Sequence, residues 1–196
     1  MAKLYFRYGT VGSAKTLNLL AVAHNYRQQG KRAFLIKPEL DVRFGPEMVA
    51  SRAGLEKKAD LLVGPNTTLD RAAFEGIDCV LVDEAQFLSR SLIDQLRCVS
   101  YEQKVPVICY GLRTDFRLAL FEGAQRLLEV ADTIEEIKTT CNFCNRKAVF
   151  NLKFADGVPT VDGPSVDLGA EEKYLPACVS CYSAKLKEAG KERPFT

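Results

Sequence analysis

Short apolar runs and stretches with apolar residues at helical spacing alternate along most of the 196-residue chain, the pattern of strands and helices taken in turn. Leu4-Tyr5-Phe6-Arg7-Tyr8 is the first run. Leu17, Leu20, Ala21, His24 and Gln28 then fall at helical spacing, and Gly30 stands where a glycine ends a helix, which predicts a helix over residues 15 to 29. Ala33-Phe34-Leu35-Ile36 is apolar throughout, as strands covered on both faces are. Between residues 45 and 76 the signals are shorter: a turn at Ser51-Arg52-Ala53-Gly54, a strand at Leu61-Leu62-Val63 and a short helix over residues 69 to 74. A buried strand over residues 77 to 82 follows, and Ser91-Leu92-Ile93-Asp94 has the spacing of a capping box heading a helix to about residue 101. A strand over 105 to 110, a helix over 121 to 130 and a strand over 133 to 137 complete the series. Helical crossovers between strands imply an α/β fold, a mostly parallel sheet with helices on both faces.

Past Lys138 that alternation stops. Asn151-Leu152-Lys153-Phe154 and the approach to Tyr174 read as strand-like pieces bracketing a turn rich in glycine and proline. The chain is expected to divide into an α/β domain, residues 1–138, and a smaller lobe, residues 139–196, with a loop of roughly 153 to 173 long enough to serve a ligand. That loop offers little apolar surface to hold it closed, so it should be mobile when empty and open to proteases at Lys153 and Lys173.

Composition acts mainly by exclusion. With 47% hydrophobic and 27% charged residues and no low-complexity tract, the chain suits a compact soluble protein. Lys and Arg total 27 against 25 Asp and Glu, dispersed rather than striped, so no nucleic-acid partner is expected. No apolar stretch approaches the ~20 residues of a membrane span, and Met1-Ala2-Lys3 leads straight into a strand pattern, so no membrane partner and a cytoplasmic location are expected. Of seven cysteines, Cys79, Cys98 and Cys109 sit singly in apolar surroundings, as small hydrophobes do. His24, the one histidine, has no Ser or Cys beside it and reads as structural.

Three clusters carry chemistry. Gly9-Thr10-Val11-Gly12-Ser13-Ala14-Lys15-Thr16, between the first strand and the first helix, matches a phosphate-binding P-loop apart from Ala14 in place of its second glycine. Backbone N–H groups at a helix N-terminus gather a triphosphate, Lys15 adds a point charge, and the Thr16 hydroxyl suits Mg²⁺. A Cβ at position 14 is tolerable if φ stays negative and the phosphate leaves room for a methyl group. The second cluster, Asp83-Glu84-Ala85-Gln86-Phe87, ends a buried strand in two carboxylates: Asp83 suits Mg²⁺ in the manner of a Walker B acid, and Glu84 suits a general base. Asp41 and Arg43, in the loop after the second strand, could serve magnesium or phosphate. The third cluster is Cys141-Asn142-Phe143-Cys144 answered by Cys178-Val179-Ser180-Cys181, two knuckles that imply one structural Zn²⁺ per chain held by four thiolates.

Together with Gly111-Leu112-Arg113-Thr114-Asp115-Phe116 and residues 169 to 174, these motifs make the chain resemble the type II thymidine kinases over nearly its whole length. The resemblance implies a RecA-like P-loop sheet with a small C-terminal zinc-ribbon lobe carrying a lasso loop. It implies transfer of the ATP γ-phosphate, with Mg²⁺, to the 5′-hydroxyl of thymidine, and of deoxyuridine, in a homotetramer inhibited by thymidine triphosphate. Glu84 would match the general base. Phe87, Leu112, Phe116, Phe121 and Tyr174 would match the nucleoside pocket, with Asn151 and Val166, Asp167, Leu168, Gly169 and Ala170 clamping the pyrimidine. Asn151 stands where the family commonly has threonine. The competing reading is a RecA-like ATPase whose zinc module binds nucleic acid, with Glu84 activating water. The eight basic and seven acidic residues from 139 to 196 make a poor phosphate-tracking surface for it.

Overall fold

The computed structural model describes residues 1–166, 173–192, 194 and 195; Asp167, Leu168, Gly169 and Ala170 lie outside them. The chain runs β1 (Leu4–Tyr8), α1 (Lys15–Gln28), β2 (Ala33–Pro38), a small hairpin of β3 (Met48–Ala50) and β4 (Glu56–Lys58), then β5 (Leu61–Val63) and β6 (Cys79–Val82). It continues with α2 (Arg90–Glu102), β7 (Val107–Gly111), α3 (Glu122–Val130) and β8 (Thr133–Glu136). Six of these strands form one sheet in the order β5-β2-β6-β7-β1-β8, and every neighbouring pair is parallel. A parallel sheet must be covered on both faces, because its crossover helices lie there. Leu19, Leu20 and Ala23 of α1 pack on Leu35, Leu81 and Ile108 on one face. Leu92, Ile93 and Leu96 of α2, with Ala124 and Leu127 of α3, pack on Phe6, Val80 and Val107 on the other.

Two helical details differ from expectation. The buried face of α1 is Lys15, Leu19, Leu20 and Ala23, not the stripe through Leu17, Ala21, His24 and Gln28, because the loop before α1 fixes its rotation and turns Lys15 inward; His24 is exposed. The cap of α2 is Ser89, whose hydroxyl accepts from the Leu92 N–H at 3.3 Å. Ser91 is already helical, and Asp94 pairs instead with Arg126 at 2.7 Å.

The lobe is a three-stranded antiparallel sheet, β9 (Phe150–Ala155), β10 (Val158–Thr160) and β11 (Tyr174–Ala177), in the order β10-β9-β11. A helix absent from the sequence reading, α4 (Val179–Glu188), closes it by burying Tyr182 and Leu186 against Leu152. Lys153 is a strand residue only 5% exposed, so the loop does not begin there and this lysine is no protease site. Asp156 and Gly157, both at positive φ, turn β9 straight into β10.

Candidate active site

Parallel strands bring their C-terminal ends to one edge of the sheet, where loops gather functional groups. The loop after β1 approaches its own helix very closely: a Cβ on Gly9 would stand 2.3 Å from Ser13 Oγ and 2.6 Å from the Ile137 carbonyl, so only glycine fits. Ala14 caps α1 with φ 62°. The negative φ that would suit an alanine is therefore not adopted; the turn into α1 demands the left-handed region, and Ala14 occupies it under strain.

Lys15 is buried, and its Nζ donates to the Thr10 carbonyl at 2.7 Å and the Gly9 carbonyl at 3.3 Å. Burial lowers its pKa to about 8, partly opposed by the charges of Glu84 and Asp83. Across from it the Thr16 hydroxyl lies 3.2 Å from both oxygens of Asp83. Burial, reinforced by the neighbouring charge of Glu84, pushes the Asp83 carboxyl well above its usual range. An apposed hydroxyl and carboxylate are the donor set Mg²⁺ takes at a triphosphate.

Glu84 follows at φ 47°, and both its oxygens are held. Arg43 Nη2 donates to Oε1 at 2.5 Å, and Gln86 Nε2 to Oε2 at 2.5 Å. Gln86 is oriented in turn by the Leu112 N–H, which donates to its Oε1 at 2.9 Å. Gly111 makes room for this, since a Cβ there would meet that oxygen at 2.5 Å. Arg43 also donates through Nε to Asp41 at 2.6 Å, and Lys37 lies 3.6 Å from the other Asp41 oxygen. Burial alone would raise the Asp41 pKa, but Arg43 and Lys37 hold it below the ordinary range.

These groups form one wall of a cavity of about 270 Å³. Its lining brings together Val11 to Thr16, Asp41, Arg43, Asp83, Glu84 and Gln86 with Phe87, Leu112, Phe116, Phe121, Asn151, Val166 and Tyr174. Gly9, Thr10 and Ala85 stand behind that wall rather than in it. Phe87 and Phe121 meet edge to face with centroids 5.6 Å apart, and Phe116 and Tyr174 are tilted at 47° with centroids 6.1 Å apart. Four rings beside buried charges suit a ligand with a flat apolar part and an anionic tail.

Three contacts were not legible beforehand. Asn151 accepts the Val11 N–H at 2.8 Å through Oδ1. Tyr182 donates to the Phe116 carbonyl at 2.6 Å, tying α4 to the cavity; the signal was there, in Cys178, Tyr182 and Leu186 at one-turn spacing before Gly190. Lys153 Nζ lies 4.7 Å from the Phe116 ring centroid, which sequence patterning could not have placed. The sulfurs of Cys141, Cys144, Cys178 and Cys181 lie within 4.8 Å of one another. Backbone N–H groups of Phe143 and Cys181 point at Cys141 and Cys178 sulfurs, at 3.5 and 3.4 Å. That is a thiolate set with the size and hydrogen bonding of a structural zinc knuckle.

A parallel sheet, a phosphate loop that opens its first helix and two carboxylates at the end of a neighbouring strand define a P-loop nucleotide-binding protein. Beside them the same cavity is lined by four aromatic rings. The chain belongs to the thymidine kinase family, whose model matches residues 2–182. It is 44% identical to the thymidine kinase of Lactiplantibacillus plantarum over 91% of this chain and 94% of that one. The Streptococcus gordonii and Lactococcus lactis thymidine kinases are 43% and 42% identical, each over 93% of this chain and 96% and 97% of theirs. Among solved structures, the Pif1 helicase of Candida albicans overlaps 69% of this chain and 36% of its own, at a TM-score of 0.43 and 9% identity.

Proposed function

We propose that this chain transfers the γ-phosphoryl group of ATP to the 5′-hydroxyl of thymidine, and of deoxyuridine. The observation that carries the reading is Glu84: its carboxylate lines the same cavity as the phosphate loop and the aromatic rings, which supports a base placed between a nucleoside hydroxyl and a γ-phosphate. In this reading the N–H groups of residues 12 to 16 and Lys15 hold the triphosphate, and the rings hold the nucleoside. Thr16 and Asp83 hold Mg²⁺, which supplies positive charge to the transferring group. Glu84 takes the proton from the hydroxyl as its oxygen attacks phosphorus, and Arg43, next to Glu84, faces the charge that develops. Residues 1–138 form the nucleotide domain and 139–196 the nucleoside lobe, with one Zn²⁺ holding the lobe's two knuckles together and inhibition by thymidine triphosphate acting at the same cavity. A homotetramer and a cytoplasmic location complete the proposal; no helix among the described residues is long and apolar enough to cross a membrane.

ADP release from ATP and Mg²⁺, measured with and without thymidine, tests it. Release that depends on thymidine, with thymidine monophosphate formed in equal amount, is expected. ADP formed at the same rate without a nucleoside would instead support the ATPase reading.

A further inference from the structure

Asn151 belongs to β9 of the lobe, yet its side-chain oxygen is bonded to the backbone of the phosphate loop, 140 residues away in sequence. Val11 is the third residue of that loop, and its N–H is the donor. Asn151 is 5% exposed and lines the cavity. Because a backbone N–H can only donate, the amide orientation is fixed: oxygen toward the loop, NH₂ away from it. That NH₂ has no hydrogen-bond partner among the described residues. Thr10, the preceding loop residue, carries a buried hydroxyl that also has none. A small space of about 10 Å³ lies between them, lined by Thr10 and Asn151 along with Glu136 and Arg113. The phosphate loop is thus lightly held on this side, and among the described residues Asn151 is the one side chain that accepts from its backbone N–H groups.

We propose that Asn151 is a positioning residue that couples the two substrates. One half of its amide sets the crown of the phosphate loop, while the other offers a donor to an oxygen of the nucleoside, so each ligand orders the group that the other needs. This rests on the reading of the chamber as a nucleoside site. Coupling between sites is reciprocal, so thymidine must tighten nucleotide binding by the same factor that nucleotide tightens thymidine. One neutral hydrogen bond sets the scale at about five-fold.

The test uses the full chain with its zinc, and β,γ-methylene-ATP with Mg²⁺ as the nucleotide probe, titrated with and without thymidine. In the native protein thymidine should lower the nucleotide Kd about five-fold. In Asn151→Ala the nucleotide Kd alone should rise about five-fold, and the effect of thymidine on it should vanish. Asn151→Leu fills the same space without an amide; it should behave like Asn151→Ala, whereas recovery in the leucine variant would show that packing alone was at work and overturn the proposal. Unchanged coupling in both variants overturns it too. If thymidine fails to bind the native protein, the nucleoside reading falls together with the coupling, and a five-fold loss of nucleotide affinity in both variants would retain only the positioning of the loop.

Discussion

At the phosphate end of the cavity Lys15, Asp83 and Glu84 are all 9% exposed or less, crowded just past the ends of two parallel strands, β1 and β6, that flank β7. At the other end the wall is rings, Phe87 against Phe121 and Phe116 against Tyr174, partly borne on a lobe held by four cysteines. Buried charges are costly unless partnered, so the first end is wired: Asp83 to Thr16, Glu84 to Arg43 and Gln86, Lys15 to two carbonyls. Rings need only area and shape. The phosphate end should therefore respond to a single changed atom or a change of pH, and the ring end should respond far less to either.

Glu84→Gln sets that contrast at its widest. It keeps the size of the side chain and removes its basicity, so turnover should fall by roughly 10²-fold or more. Nucleotide and thymidine affinities should stay nearly intact, since neither the loop nor the rings change. Steady-state rates beside equilibrium titrations check this, and undiminished turnover would remove Glu84 from the chemistry.

The pH dependence of binding separates the two ends again. Without ligand, burial holds the Lys15 pKa at about 8, whereas a bound triphosphate favours the charged form. Above about pH 8 the free protein has lost that proton and nucleotide binding must restore it. Nucleotide affinity should thus fall as pH rises, by up to about ten-fold per unit, while thymidine affinity alone stays level over the same range. Lys15→Arg, charged throughout, should flatten the nucleotide profile. A level profile in the native protein would mean that Lys15 is not the group facing the phosphates.

How much could be read beforehand follows the same division. The sheet was legible because parallel strands buried on both faces appear as uninterrupted apolar runs, such as Cys79 to Val82, and the phosphate loop because its chemistry depends on residues adjacent in sequence. The hairpin of β3 and β4 was missed because three-residue strands, one of them Glu56–Lys58, carry no periodic signal. The resemblance marks Asn151 as a nucleoside contact, but its bond to Val11 is invisible in sequence since it joins a strand of the lobe to the phosphate loop 140 residues away. The same long-range ties, with Tyr182 on Phe116, argue that replacing Cys144 by Ser would disturb the phosphate site along with the lobe.

The smallest effect concerns Ala14, where phosphate chemistry and backbone sterics meet. A non-glycine residue in the left-handed region costs roughly 1–2 kcal/mol, because Cβ crowds the following carbonyl. At φ 62° Ala14 bears that cost in the native state, with no side-chain hydrogen bond capping α1 in return. Ala14→Gly relieves it but adds backbone freedom to the unfolded chain, which takes back part of the gain. The balance should favour the variant by about 1 kcal/mol, or a Tm higher by about 2–4 °C for a chain of this size. The missing methyl also clears space beside the phosphates, so nucleotide affinity should hold or improve while thymidine affinity does not move. Calorimetric melting of the two proteins at one pH decides it: a lower Tm in the glycine variant would mean that the alanine methyl makes contacts worth more than the strain of the turn.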